Sequence, residues 1–130
     1  MSTKNNPEFS TYICEFLDFI RNAMQDYQWN YDEVNRLDCL TQDYLHELEL
    51  STMSYQDRAK IATALRNCRR QRRMSKDTVE ALTPFIEFIN SDRGQKMINL
   101  LKEALGQTRK VEEKMKTRHY RYRVLNVGDK

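Results

Sequence analysis

Interruptions are nearly missing from this chain. Of its 130 residues three are glycine and two are proline, and from Glu8 to Thr83 there is neither. That excludes a turn-rich β architecture and reads as an all-α protein. No run of eighteen apolar residues occurs, so no segment is built to span a bilayer. The opening MSTKNNPEF lacks the basic and then apolar order of a signal peptide, and the expectation is a soluble, cytoplasmic protein. The three cysteines, Cys14, Cys39 and Cys68, are odd in number and widely spaced, and are expected to be reduced core residues rather than a disulfide framework. Catalytic signatures are missing too: His46 and His119 are the only histidines, and there is no H-E-x-x-H, no Cys/His ligand spacing, no P-loop and no glycine-rich turn after a strand. No enzyme, metal or cofactor is expected.

What the chain does have is a seam. Alternating steps of four and three from Ile61 reach Leu65, Cys68, Arg72, Ser75, Val79, Leu82, Ile86 and Ile89, a heptad pattern with two polar intruders. Asn6-Pro7-Glu8 is a helix start, and Phe9, Ile13, Phe16, Ile20, Met24, Tyr27, Tyr31 and Val34 form an earlier seam, which slips after Leu37 through Leu40 or Thr41. Ser54-x-x-Asp57 resembles a capping box. Pro84 predicts a kink or a fresh start, Asn90 to Gly94 a turn with Asp92 capping the next helix, and Met97, Leu101, Ala104, Thr108, Val111 and Met115 a third seam. The architecture expected is an elongated antiparallel helical hairpin or coiled coil with a third packed helix. Its helices span about 7–50, 54–90 and 92–117 within one domain, 1–118, and a basic aromatic tail, 119–130, follows. If the 90–94 turn fails, the surplus seam predicts an intermolecular coiled coil; monomer and homodimer both remain open.

Charge is divided along the chain. Residues 1–57 hold three bases against eleven acids, and residues 58–130 hold nineteen bases against eight acids. The densest basic run, Arg66, Arg69, Arg70, Arg72, Arg73 and Lys76, contains no acid. With the third helix folded back along the second, Arg109, Lys110 and Arg118 and the tail residues Tyr120, Arg121, Tyr122 and Arg123 would join Arg66, Arg69, Arg70, Arg73 and Lys76 in one patch for a partner or for nucleic acid, arginine supplying bidentate donors and tyrosine stacking on bases. The competing expectation is that Asp32, Glu33, Asp38, Asp43, Glu47 and Glu49 neutralise the run within the fold. Arg72 lies in the seam itself and is read as a register pin paired with Asp32 and Glu33. Tyr27, Trp29 and Tyr31 cannot all face the core at 100° per residue, which leaves Trp29 available to a partner.

The R-R-x-R-R of Arg69 to Arg73, the L-x-x-F with its internal proline in Leu82 to Phe88, and the Y-x-x-R-V-L-N within Arg118 to Asn126 give the chain a layout that resembles small uncharacterised helical proteins of phages and prophages of Gram-positive bacteria. The resemblance implies a host-takeover factor, an inhibitor (anti-CRISPR proteins among them) or an assembly helper, each acting by binding a protein or ribonucleoprotein. Direct nucleic-acid binding is the alternative.

Overall fold

The computed structural model describes residues 8–119 and 121–125. They form three helices, α1 (Phe9–Leu50), α2 (Tyr55–Asn90) and α3 (Asp92–Lys116), with no strand among the described residues. The all-α expectation holds, and the helix ends fall within two residues of those read from the sequence. The start motif at Asn6 and Pro7 lies outside the described residues. No helix among them is long and apolar enough to cross a membrane. Contacts group the chain into two compact units: one of Asp18–Gln95, the other of the residues up to Leu17 with those from Lys96 onward.

Within the larger unit α1 and α2 run antiparallel. Paired residue numbers sum to 104 at the Phe19–Phe85 ring contact, 109 at Thr41–Cys68 and 110 at Asp38–Arg72. Ser54 ends the connection: its backbone is extended, and its hydroxyl accepts from the Asp57 amide at 3.1 Å. That satisfies one of the orphan donors of the first turn of α2. All nine seam positions of α2, Ile61 through Ile89, are buried or half-buried.

The seam of α1 differs from the expectation. Ile20, Ala23, Leu37 and Thr41 are buried, Tyr27, Asn30, Val34, Tyr44 and Leu48 are half-buried, and together they keep steps of three and four without a slip. Met24 and Tyr31 are 39% and 51% exposed; the irregularity arose from assigning those large side chains to the seam in place of Ala23 and Asn30.

Pro84 neither ends nor restarts α2, which continues through it to Asn90. Pro84 removes only the donor to the Glu80 carbonyl, and one residue before it the Thr83 hydroxyl donates to the Val79 carbonyl at 2.6 Å.

The corner after α2 is a single residue. Ser91 has extended backbone, its amide donates to the Phe88 carbonyl at 3.1 Å, and its own hydroxyl and carbonyl accept from the amides of Gly94 and Gln95. Ser91, and not Asp92, is therefore the cap of α3. The Gln95 side chain donates to the Ile89 carbonyl at 2.8 Å, covering another helix-end acceptor. The connection between α2 and α3 is thus one residue long, shorter than the about two to five residues usual between antiparallel helices.

The second half of α3 is tied to the start of α1. The Ser10 amide donates to Glu112 at 3.1 Å and Lys116 lies 3.9 Å from Glu8. The first turn of α1 carries no acid of its own, and Glu112 supplies a negative charge where the helix dipole favours one. Hydrogen bonds from the Ser10 side chain and then its backbone hold the Glu112 carboxyl below the ordinary value of 4.5. A carboxylate lowered on folding stabilises the contact above its unfolded value and loses that contribution as pH falls through the lowered one. Protection of the Ser10 amide from hydrogen exchange should accordingly fall as the solution is acidified below about 4.5, and Glu112→Gln should remove that acid dependence.

Candidate functional site

Arg72 and Arg69 of α2 make the cross-helix charge contacts in the middle of the hairpin, both to Asp38 of α1. Its Nε donates to Asp38, and Arg69 approaches the same carboxylate at 3.7 Å. The expected partners are occupied elsewhere: Asp32 accepts from Gln28 at 3.0 Å, and Glu33 pairs with Arg36 on its own helix. The six-residue displacement from Asp32 to Asp38 has a geometric cause. Pairing Arg72 with Asp32 presumes a sum of 104, whereas the short side chains of Thr41 and Cys68 meet at 109, so the register of the hairpin itself makes most of the displacement and the lean of the arginine toward the N-terminus of α2 adds the last step. Arg72 remains 20% exposed, a partly screened pin. We expect Arg72→Leu to melt within about 1 kcal/mol of the parent, because an apolar residue suits the seam. Arg72→Glu, opposing Asp38, should lose about 2 kcal/mol in thermal or urea unfolding.

Asp38 takes two arginines of α2, and among the described residues no other acid of α1 pairs with a base of α2. Among the described residues Arg66, Arg70, Arg73 and Lys76 have no ion pair, and Asp43, Glu47 and Glu49 on α1 have none either. The acids of α1 therefore leave most of the basic run uncompensated. Arg66, Arg70 and Arg73 are all exposed. At spacings of four and three they share one stripe, about 10 Å long at 1.5 Å per residue, on the outer side of α2. No acid occurs from Arg58 to Lys76, so the stripe has no like-helix neutralisation.

On another flank of the hairpin, Trp29 and Met74 are 62% and 69% exposed and line one depression of about 280 Å³ together with Asn30, Gln71 and Thr78. The exposure of Trp29 follows the sequence reading. Met74 was missed, although its place outside the α2 seam was the available signal.

The remaining basic residues of the expected patch belong to the smaller unit. Arg109 and Lys110 are exposed on α3, Arg118 follows the helix end, and Arg121, Tyr122 and Arg123 are exposed with no helix or strand. Tyr120 lies outside the described residues. Among the described residues no group of three His, Cys, Asp or Glu side chains converges as a metal site would. Comparison with known protein families, with curated proteins and with solved structures found no match for this chain.

Proposed function

We propose that this chain is a non-enzymatic binding protein, and that its docking face is the outer arginine stripe of α2, Arg66, Arg70 and Arg73. The partner in this reading is the anionic surface of a protein or ribonucleoprotein. The observation that carries it is that these three exposed arginines have no acidic partner among the described residues, while Asp38 engages their neighbours Arg69 and Arg72. Three guanidinium groups held in solvent on a rigid helix cost little to desolvate one face at a time, and each offers planar bidentate recognition of carboxylate or phosphate. A regulator or inhibitor of the kind implied by the layout would need nothing more than such a face.

Direct nucleic-acid binding is the second reading. It is favoured by the seven-residue span of the stripe and by the arginines on either side of Tyr122 in the exposed tail.

The test is binding of a mixed pool of short RNA and duplex DNA across a salt series, followed by partner capture with the wild-type chain and with the Arg66→Ala, Arg70→Ala, Arg73→Ala variant. On the nucleic-acid reading, affinity falls log-linearly with salt and the triple variant lowers the slope by about 3. On the leading reading, nucleic acid does not bind at low salt and the triple variant loses the captured partner. Capture that is unchanged in the triple variant refutes both uses of the stripe.

A further inference from the structure

The flank bearing Trp29 and Met74 is built as half of a symmetric interface. On α1, Trp29, Leu40, Asp43 and Glu47 follow one stripe that runs beside the seam at steps of three and four; Glu33 and Arg36 fill the intervening positions and neutralise each other. On α2 the matching stripe is Lys60, Ala64, Asn67, Gln71, Met74 and Thr78. Two depressions, of about 280 and 260 Å³, lie between the stripes end to end and share Gln71 as a wall. Asp43, Glu47 and Lys60 are exposed, and none has an ion pair among the described residues.

The two stripes differ in size and sign. The α1 stripe carries the larger side chains, Trp29 and Leu40, and unpaired acids. The α2 stripe carries small or short ones at Ala64, Asn67 and Thr78, the longer Gln71 and Met74 between the last two, a base at Lys60 and no acid.

We propose that this flank binds a second copy of the chain, about a two-fold axis parallel to the α1–α2 hairpin, to form a four-helix bundle. A closed two-fold interface requires a self-complementary surface, and charge selects the axis. With the axis along the hairpin, α1 of one copy lies over α2 of the other at the same level. In the register set by the hairpin contacts, Glu47 then meets Lys60 of the other copy, Asp43 lies over Ala64, Leu40 over Asn67 and Trp29 over Thr78 beside Met74. Bulk meets small side chains and acid meets base, and every contact occurs twice. An axis across the hairpin would set α1 on α1, acid against acid and large against large.

The same assembly accounts for the exposure of Trp29 and Met74, residue types that serve as anchors when an interface covers them. The arginine stripe on the outer side of α2 stays outside this interface, so the two surfaces stand or fall separately.

The experiment is light scattering and sedimentation of the full chain over a concentration series, with two charge-reversed variants that each spoil their own homodimer: Lys60→Glu with Asn67→Glu, and Asp43→Lys with Glu47→Lys. The wild type should reach twice the 15.6 kDa chain mass. The fluorescence of Trp29, the only tryptophan, should shift to the blue as it does so. Each variant alone should stay monomeric with helical circular dichroism intact, and an equimolar mixture of the two should recover the dimer mass, because both charge-matched faces re-form only in the heterodimer. Wild type that stays monomeric at every concentration overturns the proposal, as does a variant that dimerises alone or a mixture that stays monomeric. Should a charge variant lose its helicity, Trp29→Ser takes its place, and a dimer that survives Trp29→Ser overturns the interface.

Discussion

Replacing Gly94 with alanine is expected to lower the stability of the hairpin unit by about 3 kcal/mol, and its melting temperature by about 10 °C. A Cβ built at Gly94 would stand 1.9 Å from the Phe88 carbonyl oxygen and 2.8 Å from both the Cα and the carbonyl oxygen of Ile89. These are backbone atoms at the end of α2 and cannot swing aside as a side-chain tip would. The Gly94 backbone has no positive φ, so the requirement is for space and not for a left-handed conformation. Any relief must open the Ser91 corner, which also disturbs the Gly94 amide bond to the Ser91 hydroxyl and the fully buried Ile89. Gly106 provides the matched control on the same helix. Nothing lies within 4 Å of its virtual Cβ, so Gly106→Ala should gain up to about 1 kcal/mol through helix propensity. Opposite signs for one chemical change in one helix, read by thermal and urea unfolding, would identify close approach as the cause. A Gly94→Ala protein as stable as the parent would mean that the corner is looser than described.

Leu37→Ala should be comparably damaging, with a loss of about 3 to 4 kcal/mol in urea unfolding. Leu37 is 1% exposed, and the hairpin has few other buried large side chains over which to spread a cavity. The Leu37 carbonyl also accepts from the Thr41 hydroxyl at 2.8 Å and from the Cys68 thiol at 3.4 Å, so collapse around the missing leucine would strain a small polar network at the same level. Leu37→Met, which nearly conserves volume, should lose less than about 1.5 kcal/mol. Equal losses for alanine and methionine would point to shape specificity at that position instead of a cavity.

The seam of α2 was legible because its intruders were few and its apolar members large. All nine positions chosen by spacing alone proved buried or half-buried, and Ala64, Lys76, Thr78, Thr83 and Phe85 flank them half-buried. The seam of α1 was misread where bulk and burial part company: Phe9 and Phe16 are exposed, Ala23 is small enough to let the helices approach and was overlooked beside Met24, and Asn30 was overlooked beside Tyr31. Partner choice was less legible than position. That Arg72 would pair with an α1 acid followed from its place in the seam, but which acid depended on the register in the middle of the hairpin, where paired numbers sum to 109 and 110 and not 104, a matter of about 9 Å along α1. The corner at Ser91 was visible as a turn signal, and its one-residue length agrees with the helix bounds 54–90 and 92–117 read from the sequence. Of the candidate site, the arginines of the run were legible as positions, and Arg66, Arg70 and Arg73 are exposed. Whether α1 neutralised them required the ion pairs themselves.

The three thiols give the hairpin a built-in clock. Cys39 is exposed, Cys14 is half-buried and Cys68 is buried, within reach of the Leu37 carbonyl and the Thr41 hydroxyl. A thiol reagent in excess should modify Cys39 at once. Cys68 should react only when α1 and α2 part, so its labelling rate measures how often the hairpin opens under native conditions. A bound partner or a second copy that holds the helices together would slow that rate while leaving the modification of Cys39 unchanged wherever the contact does not cover it.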